Sequence, residues 1–232
     1  MSIALITGGN KGLGQATARR LAELGHTVYI GARDVERGRT AAEELGVQWL
    51  QLDVTDDASV DAAAAELTRR EGRLDILVNN AGVGGRDVKP DELTADDMRE
   101  VFDVNVFGLV RVTHAVLPLL HQSQAGVIVN VSSRLGAFGA MTDPDSYQYP
   151  YFIPAYGSSK SAVNMLTVQF AKALPQLRIN AVEPGITATD LHGLTGPGIQ
   201  TPDQGAEYIV GMATVPPDGP TGTFSYQTPL PW

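Results

Sequence analysis

Residues 2–14, SIALITGGNKGLG, decide the fold of this chain. Residues 2–7 are a short apolar run, typical of a buried parallel strand. A glycine-rich turn follows it, and an apolar periodicity to about Leu24 predicts a helix. A strand, a glycine turn and a helix together present backbone N–H groups and a helix N-terminus to a phosphate. The alternative is an ordinary tight turn between a strand and a helix.

Strand and helix patterns go on alternating after this unit, with short turns between them. This alternation is the βαβ signature of a parallel, doubly wound sheet, so we expect a single Rossmann-like α/β domain over residues 1–232, with about seven strands. Ligands of such sheets bind at the carboxyl ends of the strands. Gly8, Arg33, Asp53 and Asn79 should therefore line one edge. The predicted strands are 2–7, 27–31, 47–52, 74–78, 126–131, 176–182 and a last edge strand from 221, and the helices include 35–45, 56–70 and 202–213.

The composition limits the classes of protein that this chain can belong to. It has 232 residues, 43% of them hydrophobic, which fits one globular domain. It has no cysteine, which excludes disulfides and thiolate chemistry. The net charge of −9 argues against nucleic-acid binding. Because we find no export signal and no apolar run of membrane-spanning length, we expect a cytoplasmic protein without a membrane partner.

A Tyr-x-x-x-Lys pair, Tyr156 and Lys160, begins another helical pattern. Residues four apart lie on the same face of a helix, so the phenol and the ammonium should point into the same space. The ammonium is expected to lower the pKa of the phenol, which could then exchange a proton during carbonyl reduction or alcohol oxidation. Alone, the motif is weak, because a surface pair has the same spacing.

Basic residues cluster where the second predicted strand ends. Arg33 and Arg37 follow this strand, and Lys11 lies in the glycine loop. At this place an acid binds the 2′-hydroxyl of NAD, whereas arginine accommodates the 2′-phosphate of NADP. The cluster therefore favours NADPH or NADP, with NAD the less favoured cofactor, although solvated surface arginines remain the alternative. Asp34 argues against this preference, because an acid at this place favours NAD, but we interpret it as the N-cap of the helix 35–45.

Three motifs in this order identify a family resemblance. Thr-Gly-x-x-x-Gly-x-Gly from Thr7, the run Asn79-Asn80-Ala81-Gly82 and Tyr156-x-x-x-Lys160 resemble the short-chain dehydrogenase/reductase family over essentially the whole chain. Within it, residues 9–12 and 31–35 look most like the NADPH-dependent carbonyl reductases. The resemblance implies an oxidoreductase that transfers a hydride between a nicotinamide cofactor and a ketone, aldehyde or secondary alcohol.

The resemblance also implies roles for individual residues. Tyr156 would be the general acid, and Lys160 would lower its pKa and bind the nicotinamide ribose. Ser133 would orient the carbonyl oxygen. Asn105, inside a predicted helix from Thr94 to about His121, would distort that helix and hold a water that links the lysine to solvent. The cofactor-binding residues would be Gly8, Asn10, Lys11, Gly12, Leu13, Gly14, Arg33, Arg37, Asp53, Val54, Asn79, Ala81, Gly82, Tyr156, Lys160, Pro184, Gly185, Thr187 and Thr189. No metal is expected.

Two loops depart from the core pattern. Ser133 and Tyr156 lie 23 positions apart, whereas most members of the family have a much shorter spacer. We expect the extra stretch, 136–152, to be an insertion with too many prolines and turns for a helix. In similar reductases such an insertion covers the dimer surface, so monomer and homo-oligomer both remain possible. Its aromatic residues either line the substrate mouth or pack on one another. Residues 190–202 are expected to form a mobile substrate lid.

Two other functions compete with the reductase. A non-enzymatic sensor of NADP(H) could use the same fold, but it would not need Asn105, Ser133, Tyr156 and Lys160 together. A sugar-nucleotide epimerase or dehydratase shares Tyr-x-x-x-Lys, but needs a C-terminal substrate domain for which about forty residues are too few. The substrate, beyond a small carbonyl or alcohol, depends on loops 84–89, 136–152 and 191–202.

Overall fold

A parallel sheet of seven strands forms the centre of the protein. The computed structural model describes residues 1–191, 193, 196–226 and 228–232, and within them the strand order is β3-β2-β1-β4-β5-β6-β7, with every neighbouring pair parallel. The doubly wound fold predicted from the sequence is therefore confirmed. The strands are β1 Ile3–Thr7, β2 Thr27–Ala32, β3 Gln48–Gln51, β4 Ile76–Asn79, β5 Val127–Val131, β6 Arg178–Val182 and β7 Phe224–Ser225.

Helices cover both faces of this sheet. Successive strand residues point to opposite faces, so Leu5 and Leu77 belong to one core cluster and their neighbours Ile6 and Val78 to another. The helices are α1 Gly12–Glu23, α2 Val35–Leu45, α3 Asp57–Glu71, α4 Ala95–Phe102, α5 Gly108–Leu120, α6 Phe138–Thr142, α7 Pro154–Ala173 and α8 Pro202–Ala213. The first cluster packs under α3, α5 and α7, and the second under α1, α2 and α8.

Side-chain caps fix where several helices begin. Asp34 accepts a hydrogen bond from the backbone N–H of Arg37 at 2.9 Å, which confirms it as the N-cap of α2. Thr94 and Thr201 each form a reciprocal capping box, with Asp97 and Gln204 respectively. Such caps satisfy backbone N–H groups that have no partner within the helix.

The long helix predicted from Thr94 to about His121 is interrupted. Residues Asp103–Phe107 form one π-helical turn between α4 and α5, and Asn105 lies in that turn. The expectation that this helix is distorted at Asn105 is thus confirmed. The helical stretch Ala95–Leu120 is also long enough for a membrane span, and an 18-residue window within it has a mean hydropathy of 1.3, contrary to the sequence analysis. Half of its apolar window is buried inside the domain, as in a core helix.

Both predicted loops contain more regular structure than the sequence indicated. In the insertion, Phe138–Thr142 form α6, although we expected no helix there. The predicted lid, 190–202, ends earlier than expected, because Thr201 caps α8 and Gln200 pairs with residues 186–188 through two backbone hydrogen bonds of 2.8 Å. Three positions of the predicted lid, 192, 194 and 195, lie outside the described residues.

A core substitution tests this arrangement. Leu77 in β4 is fully buried, so Leu77→Ala removes apolar contacts and leaves a cavity. We expect it to lower the free energy of unfolding by about 2–5 kcal/mol. Leu24→Ala is the matched control, because Leu24 is 59% exposed, and it should change that free energy by less than about 0.5 kcal/mol. Urea unfolding followed by tryptophan fluorescence measures both, and equal losses would contradict the assignment of Leu77 to the core.

Candidate active site

The glycine loop between β1 and α1 is shaped by close backbone approach. Gly12 has φ of +54°, a conformation that glycine adopts without strain. A Cβ atom at Gly14 would lie 2.5 Å from the Gly8 carbonyl oxygen and 2.6 Å from the Asn80 side-chain nitrogen. No side chain fits there, so the third glycine of the motif is required by packing.

Asn80 was not among the predicted site residues, yet it holds this loop. Its Nδ2 donates to the carbonyl oxygens of Thr7, at 2.9 Å, and Gly8, at 3.2 Å. The Thr7 hydroxyl in turn accepts the backbone N–H groups of Asn80 and Ala81, both at 3.0 Å. These bonds tie the ends of β1 and β4 together. The sequence signal was the second asparagine of the Asn-Asn-Ala-Gly motif.

The N-terminus of α1 is open to an anion. Lys11, at its N-cap, makes no side-chain capping bond, and no acidic residue lies in the first turn. The partial positive charge of a helix N-terminus and its unpaired N–H groups suit a pyrophosphate. These residues therefore fit a dinucleotide, which agrees with the predicted places of Gly8, Asn10, Gly12, Leu13 and Gly14.

The predicted basic cluster is exposed at the end of β2. The Lys11 ammonium pairs with Asp190 at 2.8 Å, and both side chains are largely exposed. The Arg37 side chain is 75% exposed, and its Nε lies 4.0 Å from the Asp34 carboxylate. Burial acts to raise the pKa of Asp53, but hydrogen bonds from Thr55 and the charge of Arg33 bring it below its ordinary value. Arg33 and Asp53 are therefore near each other, as the sheet topology predicts.

Three of the predicted cofactor residues have side chains occupied by other contacts. Asp53 Oδ1 accepts from the N–H and hydroxyl of Thr55, at 3.0 and 2.7 Å. Val54 is buried and lies against Gly108. The Asn79 amide donates to Thr113 and Asn130 inside the domain, at 3.1 and 2.9 Å. We expected Asn79 to bind the cofactor. In the structure its amide takes part in a buried polar network that joins β4, β5 and α5.

Tyr156 and Lys160 lie one turn apart on α7, with exposed fractions of 6% and 5%. The Lys160 Nζ donates to the backbone carbonyl of Val131, at the end of β5, at 2.8 Å, and lies 5.5 Å from the centre of the Tyr156 ring. Burial lowers the pKa of Lys160 to about 8, while the charge of Glu183 acts to raise it. The ammonium is therefore held over the phenol ring and remains mostly charged at pH 7.

The Ser133 hydroxyl hydrogen-bonds with the Tyr156 side chain, which brings the two predicted catalytic groups together. Burial raises the pKa of Tyr156 well above its ordinary value, the charge of Glu183 raises it further, and the bond with Ser133 lowers it. The expected lowering of the Tyr156 pKa is thus wrong for this structure, because burial and the charge of Glu183 outweigh the hydrogen bond with Ser133. A phenol in this state is protonated at neutral pH and can serve as an acid.

Asn105 joins the π-helical turn to the strand ends and to α7. Its Oδ1 accepts the backbone N–H of Val83 at 2.8 Å, and its Nδ2 donates to the Val83 carbonyl at 2.9 Å and the Ser159 hydroxyl at 3.0 Å. A cavity of about 10 Å³ lies between Asn105 and Lys160, also lined by Asn79. One water molecule needs a cavity of about this size. The cavity could therefore hold the water that, by resemblance to the family, links Lys160 to solvent.

The segment after β6 lies against the glycine loop. Gly185 has φ of +79°. The Thr187 hydroxyl donates to the Gly185 carbonyl at 3.1 Å, and a Cβ at Gly12 would lie 3.4 Å from the Thr189 side chain. Pro184, Gly185, Thr187 and Thr189 thus border the same edge of the sheet as the glycine loop. Their contacts with a nicotinamide stay a prediction.

Comparisons with known proteins identify the family. The short chain dehydrogenase family model matches residues 2–198. The chain belongs to the short-chain dehydrogenase family. It is 32% identical to salutaridine reductase of Papaver bracteatum and 31% identical to (+)-neomenthol dehydrogenase of Capsicum annuum, each over 97% of this chain and 94% and 95% of the relative. NADPH-bound carbonyl reductase from chicken fatty liver has a similar structure, with a TM-score of 0.87 and 27% identity over 100% of this chain and 99% of that one.

The family assignment makes this edge of the sheet a nicotinamide cofactor site, and Gly14 gives a direct test. Gly14→Ala should weaken NADPH binding at least about tenfold, because the new methyl group would displace the Gly8 carbonyl or Asn80. Gly211→Ala, in α8, is the matched control, since its Cβ would meet nothing within 4 Å. It should leave binding unchanged and add up to about 1 kcal/mol of stability. NADPH fluorescence titration measures the affinities, and normal binding by Gly14→Ala would refute the packing argument.

Proposed function

We propose that this protein is an NADPH-dependent carbonyl reductase, which transfers a hydride between the cofactor and a ketone, aldehyde or secondary alcohol. The observation that carries the proposal is the meeting of Ser133, Tyr156 and Lys160 at the same edge of the sheet as the glycine loop. The membership of the chain in a family of oxidoreductases supports it. So do the names of its relatives, which include a reductase and an alcohol dehydrogenase.

The residues of this chain suit each step of a carbonyl reduction. A reduced nicotinamide supplies the hydride when it is bound. The Ser133 hydroxyl donates a hydrogen bond to the substrate oxygen and stabilises the negative charge that develops there. Tyr156 gives the proton, since the raised pKa keeps its phenol protonated at neutral pH. Lys160, held by the Val131 carbonyl, would bind the nicotinamide ribose and pass a proton from the small cavity beside Asn105 back to Tyr156.

The preference for NADPH over NADH rests on charge at the end of β2. Arg33 follows the last residue of β2, and Arg37 lies one turn further along the chain in α2. Asp34 is engaged as the cap of α2, so its carboxylate is partly satisfied by a backbone N–H. Two exposed guanidinium groups at this place are suited to the 2′-phosphate of NADP. We infer a cytoplasmic enzyme, in agreement with a sequence without cysteine.

The test of the function is NADPH oxidation, followed at 340 nm, with a panel of ketones, aldehydes and quinones. Menthone belongs in the panel because it is the ketone that corresponds to neomenthol. Turnover of any member supports the reductase and begins to define the substrate. Tight NADPH binding without turnover across a broad panel would favour the sensor instead.

Tyr156→Phe tests the acid. We expect kcat to fall about 10²- to 10⁴-fold, the usual range for a lost general acid, with NADPH affinity within about twofold of wild type. Tyr29→Phe is the matched control, because the Tyr29 hydroxyl contacts Glu71 at 2.6 Å, away from the site, and this variant should keep its kcat. If Tyr156→Phe turned over at nearly the wild-type rate, Tyr156 would not be the acid.

Arg33→Ala tests the cofactor preference. Removing a charge-assisted hydrogen bond to the 2′-phosphate should raise the Kd for NADPH roughly 10- to 100-fold, and the Kd for NADH less than about twofold. Arg39→Ala is the matched control, since the Arg39 guanidinium lies 5.4 Å over the Trp49 ring. It should change neither constant. Equal increases for both cofactors in Arg33→Ala would rule out the 2′-phosphate contact.

A further inference from the structure

Glu183 is a buried carboxyl group at the active-site edge of the sheet. It directly follows β6 and is 7% exposed. Its backbone N–H donates to the Ser225 carbonyl at 2.9 Å, and the Ser132 N–H donates to the Val182 carbonyl at 2.8 Å. These bonds place Glu183 next to the end of β5. A buried carboxyl group is costly unless it has partners, so the contacts of Glu183 need an explanation.

The carboxylate of Glu183 holds the turn that follows Ser133. Its Oε2 accepts a short hydrogen bond from the backbone N–H of Arg134. The Ser133 hydroxyl oxygen accepts the next N–H of the same turn, that of Leu135, at 3.2 Å. Because its oxygen is used in this way, the hydroxyl hydrogen of Ser133 is left to donate towards Tyr156 or a substrate oxygen. Glu183 thus fixes the backbone that sets the position of Ser133.

The same carboxylate acts electrostatically on the other catalytic groups. Burial raises its own pKa, while the Arg134 N–H and the charges of Arg134 and Lys160 lower it. Its negative charge acts to raise the pKa of Tyr156 and of Lys160. From the C-terminal segment, the Tyr226 ring packs 5.6 Å from the Arg134 guanidinium and so holds that cation near the site. Within the described part of the chain, Glu183 is the acid whose charge acts on both Tyr156 and Lys160.

We propose that Glu183 is a positioning residue of this reductase, which holds Ser133 through the Arg134 N–H and places a negative charge near Tyr156 and Lys160. The inference rests on the proposed function. None of the three sequence motifs contains Glu183, which directly precedes Pro184-Gly185.

The first experiment separates the charge from the hydrogen bond and needs no substrate. Glu183→Gln keeps an oxygen that can accept the Arg134 N–H, but removes the charge. NADPH binding should weaken as pH rises through the pKa of Lys160, about 8, because the ammonium is then lost. In Glu183→Gln the loss of NADPH binding should occur about one pH unit lower, because removing one neighbouring negative charge commonly lowers the pKa of an ammonium by about one unit. Fluorescence titrations with NADPH between pH 6 and 9 measure the shift.

The matched control is Asp75→Asn. Asp75 also accepts a backbone N–H, that of Ile3 at 2.8 Å, but it precedes β4 and therefore lies at the opposite edge of the sheet. This variant should bind NADPH with the pH dependence of wild type. A folded Glu183→Gln protein whose pH dependence equals that of wild type would overturn the electrostatic part of the proposal.

The second experiment tests whether Glu183 acts through Ser133. Glu183→Ala, which also removes the acceptor for the Arg134 N–H, should lower kcat about tenfold or more, with KM within about threefold, for a carbonyl compound that the wild type reduces. At about pH 6, where Lys160 stays charged with or without Glu183, the same change in a Ser133→Ala background should cost little further, since its effect then passes through the lost hydroxyl. Additive losses would overturn the positioning role. A wild type that reduces no member of the panel would instead count against the proposed function, and the binding experiment would still decide the role of Glu183.

Discussion

The hydrogen bond from the Lys160 ammonium to the Val131 carbonyl is the contact on which the site depends. It ties the first turns of α7 to the carboxyl end of β5, so that a residue one turn earlier, Tyr156, comes to lie beside Ser133. Two further polar contacts reinforce it, from the Ser132 hydroxyl to Asn164 at 2.5 Å and from Asn105 to Ser159 at 3.0 Å. Together these contacts fix the place of the tyrosine relative to the strand ends.

The parallel sheet determines where the other site residues lie. Because all seven strands are parallel in the described residues, their carboxyl ends meet at one edge, and the glycine loop, Asn80, Ser133 and Glu183 converge there from four different strands. Burial then determines the chemistry of the side chains. It raises the pKa of Tyr156, which keeps the phenol protonated, and lowers that of Lys160 to about 8, which still leaves the amine mostly charged at pH 7. Such a pair is suited to give a proton to a carbonyl oxygen.

Sequence reasoning predicted the fold and the central residues well, because both follow from local patterns. The alternation of strands and helices predicted the sheet, two of the three motifs predicted Gly14 and Tyr156 at its edge, and the family resemblance added Ser133. The sign of the Tyr156 pKa shift was not predictable, since it depends on burial by residues distant in the chain. The same holds for Asn79, whose amide is engaged by Thr113 and Asn130. Helix α6 was missed because only five residues form it.

The central claim is that hydride passes from NADPH to a carbonyl carbon at Tyr156. The most direct test uses NADPH carrying deuterium in both positions at C4 of the nicotinamide, together with any carbonyl compound that the enzyme reduces, and mass spectrometry of the alcohol. The account predicts one deuterium on the carbinol carbon with the wild type, and almost no labelled alcohol with Tyr156→Phe in the same time. An alcohol without deuterium, or label transfer that is equally fast without the phenol, would contradict it.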